Sequence, residues 1–241
     1  MQKKLDEGVY FIEGQDDMIP DSNVYVLADA SGEDLTLVDA GLVGKGAYKL
    51  ESIKRLGFEI GHIRRIIMTH THLDHLGCAP EILEQVPNAE LWVHAEEAEP
   101  LEQGDDRIVF GMPALRDMCF SQLEIHPETL LLKVNRKLQD DETLNLGGET
   151  WRVVHIPGHS PGCIALYNAS KKILIPGDVV YSDHAIGRFD LHGANSAAHR
   201  ASLYRLAELK VDMLLPGHER VMETVPAGYI EETVKQWEQY M

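Results

Sequence analysis

Positive charge is scarce in this sequence. Its 22 lysines and arginines stand against 39 aspartates and glutamates, a net charge of −17 at pH 7. A surface of that sign repels polyanions at long range, and no run of basic residues offsets it, so neither nucleic acid nor an anionic membrane is an expected partner. Long apolar runs are also missing, and nothing approaches the ~18 residues of a spanning helix. The opening MQKKLDEGVY has basic charge without an apolar core behind it. No secretory signal is expected from that, and the expected compartment is the cytoplasm. Three cysteines, Cys78, Cys119 and Cys163, are too few to staple a chain of 241 residues.

What remains is the profile of a globular protein, with 44% hydrophobic and 25% charged residues. The length suffices for a substantial core, and the expectation is a single α/β domain over residues 1–241. One count stands out. There are 12 histidines, and histidine is the commonest metal ligand among the side chains.

Short β-prone runs at 8–14 (GVYFIEG), 23–29 (NVYVLAD) and 34–39 (DLTLVD) are split by Asp, Ser and Gly, as hairpin strands are. The spacing of Ala47, Leu50, Ile53 and Leu56 predicts a helix over 44–56. A buried strand is expected at 63–68, a helix at 76–86 and a strand at 90–94. Residues 96–139 begin acidic and turn rich in Met and Phe without a strand period. That stretch reads as helical or irregular, too long for a plain connection, and is expected to be an inserted lid or binding segment. Its Phe110, Met112, Leu115, Met118 and Phe120 are candidates for an apolar wall over a site or for a homodimer contact, with a plain core satellite as the third reading. Strands are expected again at 151–156, 163–167, 172–175 and 211–215, with helices at 196–209 and 227–240. Two sheets face to face with helices outside is the simplest packing.

Chemistry gathers in four places. Residues 69–75 read THTHLDH directly after a predicted strand. Side chains two apart in extended chain point the same way, so His70 and His72 can converge on one ion. Asp74 and His75 fall where the chain turns into a helix and can face a second ion, although Asp74 would also serve as a helix cap. Then a strand followed by Pro-Gly and a metal-type residue occurs three times: His159 in IPGHSPG, Asp178 in IPGDV and His218 in LPGHE. Core packing does not explain that repetition. Nitrogen and oxygen donors without thiolate suit Zn²⁺, Fe or Mn²⁺ and do not choose among them. Cys163 and Cys78, close to these motifs, read as small buried side chains. His155 is expected to pack within its strand, while His184 and His192 could line a pocket.

These motifs resemble the metallo-β-lactamase superfamily, from the opening strands through LVDAG at 37–41 to the turn at 216–218. The resemblance implies an αββα sandwich, two mixed sheets with helices outside and two divalent metal ions at one sheet edge. It implies His70, His72 and His159 on one ion, Asp74, His75 and His218 on the other, and Asp178 bridging. Asp39 matches an early aspartate that supports the ligands. Two such ions lower the pKa of a shared water and so supply a nucleophile for an acyl carbon. Zn²⁺ is the first expectation for both, with Fe or Mn²⁺ open.

Within the superfamily, true β-lactamases lack the bridging aspartate and flavodiiron proteins carry glutamate where this chain has His72. The run GDVVYSDHAIGRFDL at 177–191 resembles the glyoxalase II branch. Only residues 219–241 follow the last ligand, about one helix, so the helical glutathione platform of that branch is not expected. The expected activity is hydrolysis of a small ester, thioester or lactone, with Asp74 and Tyr181 as catalytic residues. Tyr181 stands three residues after Asp178, as a tyrosine does in the N-acyl homoserine lactonases, and a phenol there could donate to a developing oxyanion. The alternatives are a mononuclear iron enzyme like the persulfide dioxygenases, whose last motif usually has alanine at the position of Gly217, and a non-catalytic metal-binding or sensor protein.

Overall fold

The computed structural model describes residues 1–16 and 18–241. The first sheet takes β1 (Gln2–Asp6), β2 (Val9–Ile12), β3 (Val24–Ala28) and β4 (Leu35–Val38), then β5 (Ile63–Ile67), β6 (Glu90–His94) and β7 (Arg136–Leu138). Its seven strands lie in chain order. The first four pair antiparallel and the rest parallel, through the crossovers α1 (Gly46–Arg55), then α2 (Leu73–Leu76) with α3 (Ala79–Gln85). Between β6 and β7 come α4 (Ala95–Glu102), α5 (Asp106–Phe110) and α6 (Pro113–Gln122). The second sheet holds β8 (Thr143–Leu146), β9 (Glu149–His155), β10 (Ile164–Asn168), β11 (Ile173–Gly177) and β12 (Met213–Pro216) in the order β12-β11-β10-β9-β8. Helices α7 (Ser196–Ala207) and α8 (Tyr229–Trp237) complete the chain.

Alternation along the strands dictates the layering. In β3, Val24, Val26 and Ala28 join the apolar cluster under α1 and α3–α6, while Tyr25 and Leu27 join the cluster between the sheets. In β10, Ile164 and Leu166 face that same middle layer, and Ala165 and Tyr167 face α7 and α8. Each sheet thus packs helices on one face and the other sheet on its opposite face. The result is the expected αββα sandwich.

Three strands depart from expectation: β1, β7 and β8. Each is an outer strand of its sheet. These three carry polar or charged residues along the open edge, as in QKKLD and RKL, so their apolar signal is weak. The helix expected at 76–86 is two short ones. Gly77 and Cys78 separate them, and the Cys78 amide leaves the helical ladder to donate to the Gly41 carbonyl at 2.8 Å.

Candidate metal centre

Five strand ends deliver the expected residues to one edge of the sandwich. Asp39 follows β4, the THTHLDH segment follows β5, His159 lies beyond β9, Asp178 directly after β11 and His218 two residues after β12. The sheets are tied together there. The Ile164 amide donates to the Thr69 carbonyl at 2.8 Å, and the Tyr25 hydroxyl and Asn23 amide group both donate to the Pro216 carbonyl, at 2.6 and 3.1 Å.

The donors fall into two groups, His70–His72–His159 and Asp74–His75–Asp178–His218, each with ligand atoms within 4.8 Å of one another. Asp178 lies between them. Its Oδ1 is 3.1 Å from His75 Nε2, and its Oδ2 is 3.5 Å from His218 Nε2 and 3.7 Å from His159 Nε2. All seven expected ligand residues are thus brought together.

Supporting hydrogen bonds settle which ring nitrogens are free. His159 Nδ1–H donates to the Arg188 carbonyl at 2.7 Å, leaving Nε2 with its lone pair. His75 Nδ1–H donates to Asp39 Oδ2 at 2.8 Å. The Thr69 hydroxyl gives its proton to Asp39, so at 3.1 Å it accepts from His70 Nδ1–H and frees His70 Nε2. Fixing one nitrogen to aim the other is how metal-binding imidazoles are oriented. Asp39 does this for two of them from a left-handed backbone (φ 64°) that Asp tolerates better than most residues.

Burial holds His70 well below the ordinary imidazole range, reinforced by His75 and His72. Burial likewise takes His72 down to about 3, with His159 adding to it. The other group behaves oppositely. Burial opposes the charged form of His75, but Asp178 and Asp39 outweigh it and raise its pKa. For His218, Asp178 and Asp74 do the same. Asp178 lies well below the carboxylate range because the surrounding histidines outweigh its burial.

These residues fit divalent cations. His70 Nε2 is buried without a hydrogen-bond partner, an arrangement that native interiors rarely leave uncompensated. Imidazole nitrogens of His72 and His159 face each other at 2.9 Å, and those of His75 and His218 at 3.2 Å. A cation between His72 Nδ1 and His159 Nε2 satisfies both, and one between His75 and His218 takes the place of the protons that the neighbouring carboxylates draw there.

Above the donors lies a cavity of about 530 Å³. Phe110, Met112, Leu115 and Met118 line it, as does Tyr181. Phe120 does not reach the cavity and packs edge-on against Phe110 at 5.4 Å. His184 and His192 are not among the lining residues. His184 instead stacks on Tyr229 and bonds Thr233. His155 packs as expected, stacked on His94 with ring centroids 4.0 Å apart. Burial, with Asp178 next, keeps the Tyr181 phenol far above its usual pKa, so it stays a donor.

One residue of the site escapes sequence reasoning. Glu97, buried at the start of α4, accepts from the Thr71 amide and hydroxyl, both at 2.7 Å, from the Gly162 amide at 3.0 Å and from the Ser160 hydroxyl. It therefore clamps the loop of His70 and His72 to the loop of His159. In the string EEAEP its only mark is an acidic tract, which ordinarily faces solvent.

The family profile of the metallo-beta-lactamase superfamily matches residues 20–218. With this fold and this edge-mounted cluster of histidines and aspartates, the chain belongs to that superfamily. It is 34% identical over 167 residues to the acyl-coenzyme A thioesterase MBLAC2 of Gallus gallus, a match covering 63% of this chain and 55% of that protein. It is 29% identical over 160 residues to the hydroxyacylglutathione hydrolase GloC of Haemophilus influenzae, covering 63% and 66% respectively. The second likeness accords with the glyoxalase II-like run at 186–191. Among solved structures, TTHA1623 in a di-iron-bound form superposes with a TM-score of 0.66 at 28% identity, covering 88% of this chain and 93% of that one. No helix among the described residues is long and apolar enough to cross a membrane.

Proposed function

We propose that this protein is a dinuclear metal-dependent hydrolase of small acyl substrates: esters, thioesters or lactones. The observation that carries the reading is the pair of donor groups joined by Asp178 at the floor of an apolar cavity. His70, His72 and His159 would hold one ion, Asp74, His75 and His218 the other, with Asp178 shared. Their donors suit zinc or iron. Divalent ions held there supply Lewis acidity and a water of lowered pKa.

The chain's own groups do the rest. Asp39 and the Arg188 carbonyl keep the imidazoles in the tautomer that presents lone pairs. Tyr181, protonated, donates to the acyl oxygen or the departing atom. Asp74 accepts from His218 at 3.0 Å and sits well placed to hold that ring. Residues 96–139 form an inserted wall of the single domain, and their side chains exclude water from the reacting centre. We place the protein in the cytoplasm.

The persulfide dioxygenase-like alternative fits less well. An alanine at Gly217 would set its Cβ 2.2 Å from Asp178 Oδ1 and 2.6 Å from His75 Cε1. A sensor that had abandoned turnover would not need all seven donors. The test is metal analysis of the purified protein beside a panel of thioesters, esters and lactones. About two ions per chain and hydrolysis abolished by chelation are expected. Undiminished hydrolysis by fully demetallated protein overturns the reading.

A further inference from the structure

We infer that the centre selects substrates with an apolar acyl group and an uncharged leaving group, and handles coenzyme A and glutathione thioesters poorly. The inference rests on the hydrolase reading above and narrows it.

The cavity is chemically lopsided. The wall from α5 and α6, with Phe110, Met112, Leu115 and Met118, stands beside the His70–His72–His159 group: a Cβ at Gly111 would lie 3.6 Å from His72 Nε2 and 3.4 Å from Leu191 Cδ1. An acyl chain finds its burial on that side. Carboxylates also line the opening: Glu219, which follows His218 directly, and exposed Asp16, next to Met18, Ile19 and Pro20.

Coenzyme A presents phosphates and glutathione presents carboxylates, and such groups are recognised by free guanidinium or ammonium. Among the described lining residues Arg188 is the one Lys or Arg. Its Nε and Nη2 already donate to the two Asp190 oxygens, both at 2.9 Å. The net charge of −17 repels a polyanionic leaving group further. A neutral thiol or alcohol meets none of this. Hydrolysis then breaks the acyl–sulfur or acyl–oxygen bond, adds the hydroxyl of water to the acyl carbon and leaves its proton on the departing group.

The experiment compares octanoyl-N-acetylcysteamine with octanoyl-coenzyme A on the metal-loaded protein, since both carry the same thioester. The neutral substrate should have a kcat/KM at least about tenfold higher. Raising salt should narrow the gap by screening repulsion of the coenzyme. Asp190→Asn, which frees Arg188, should raise the coenzyme A rate several-fold and leave the neutral rate unchanged. Equal or faster cleavage of octanoyl-coenzyme A overturns the inference. If neither thioester is cleaved, the hydrolase reading fails, and calorimetry judges the selectivity without turnover. Octanohydroxamate binding at least about tenfold tighter than acetohydroxamate, with coenzyme A no tighter than N-acetylcysteamine, upholds it. Equal hydroxamate affinities, or tighter coenzyme A, overturn it. Leu115→Glu should erase the hydroxamate preference.

Discussion

The two donor groups at the sheet edge are built on different electrostatic principles. His70, His72 and His159 share no carboxylate of their own, and burial keeps His70 and His72 neutral. Asp74, His75, Asp178 and His218 form an ion-paired network with Asp39 behind it, where carboxylates pull protons onto the histidines. The first group is ready to receive a cation and depends on loop geometry to aim its rings. The second is rich in charge and must shed protons when a cation enters. Neighbouring sites on one edge can thus differ in what limits their occupancy.

The largest effect should come from erasing what the two groups share. Asp178→Ala is expected to lower kcat/KM by about 10³ or more and to cut metal content from about two ions per chain toward one. Retention of both ions, measured by elemental analysis, would make Asp178 a bystander.

The comparison sharpens at Glu97, which clamps only the loops of the first group. Glu97→Gln keeps the shape but turns an acceptor toward donors. Affinity at the His70–His72–His159 group should drop by about 10–100-fold while the other group is unaffected. Stepwise Co²⁺ titration followed by absorption separates the two. Equal losses at both would mean that Glu97 serves general folding.

Tyr181→Phe tests a residue leaning over the second group. A lost oxyanion donor typically costs ~10²–10³ in kcat, and metal polarisation of the same oxygen should reduce this to roughly tenfold. Substrates with poor leaving groups should lose most, at unchanged metal content. Identical losses across leaving groups would remove the phenol from the chemistry.

The smallest effect concerns pH. His75 and His218 have raised pKa values, so a cation entering the second group displaces protons. Below neutrality its affinity should fall by about tenfold per pH unit per proton. His72, already down to about 3, offers no such competition. The pH slope of the first group should therefore be shallower than that of the second. Parallel slopes in competition titrations would contradict the division.

Residues 69–75 and the three Pro-Gly turns are legible in the sequence because each sits next to its own strand and carries a local signature. The middle strands are legible for the same reason, being strongly apolar. Outer strands β1, β7 and β8 are not, since one exposed face dilutes the pattern. Phe110 and Phe120 show the limit within one segment: both are large and apolar, yet only Phe110 lines the cavity, because α6 turns Leu115 and Met118 toward it and Phe120 away.

From the sequence alone follow the donor types, their positions at strand ends and the alternation of strands and helices whose simplest packing is two sheets face to face with helices outside. Those are properties of short stretches, set by side-chain chemistry and the period of two along a strand. Tertiary structure decided that His72 meets His159, that Asp178 stands between the groups and that Glu97 is a buried clamp. The physical reason is that these contacts join residues far apart in the chain. A carboxylate in an acidic tract reads the same whether water or four protein donors surround it, and only the packing of α4 against the two loops chooses.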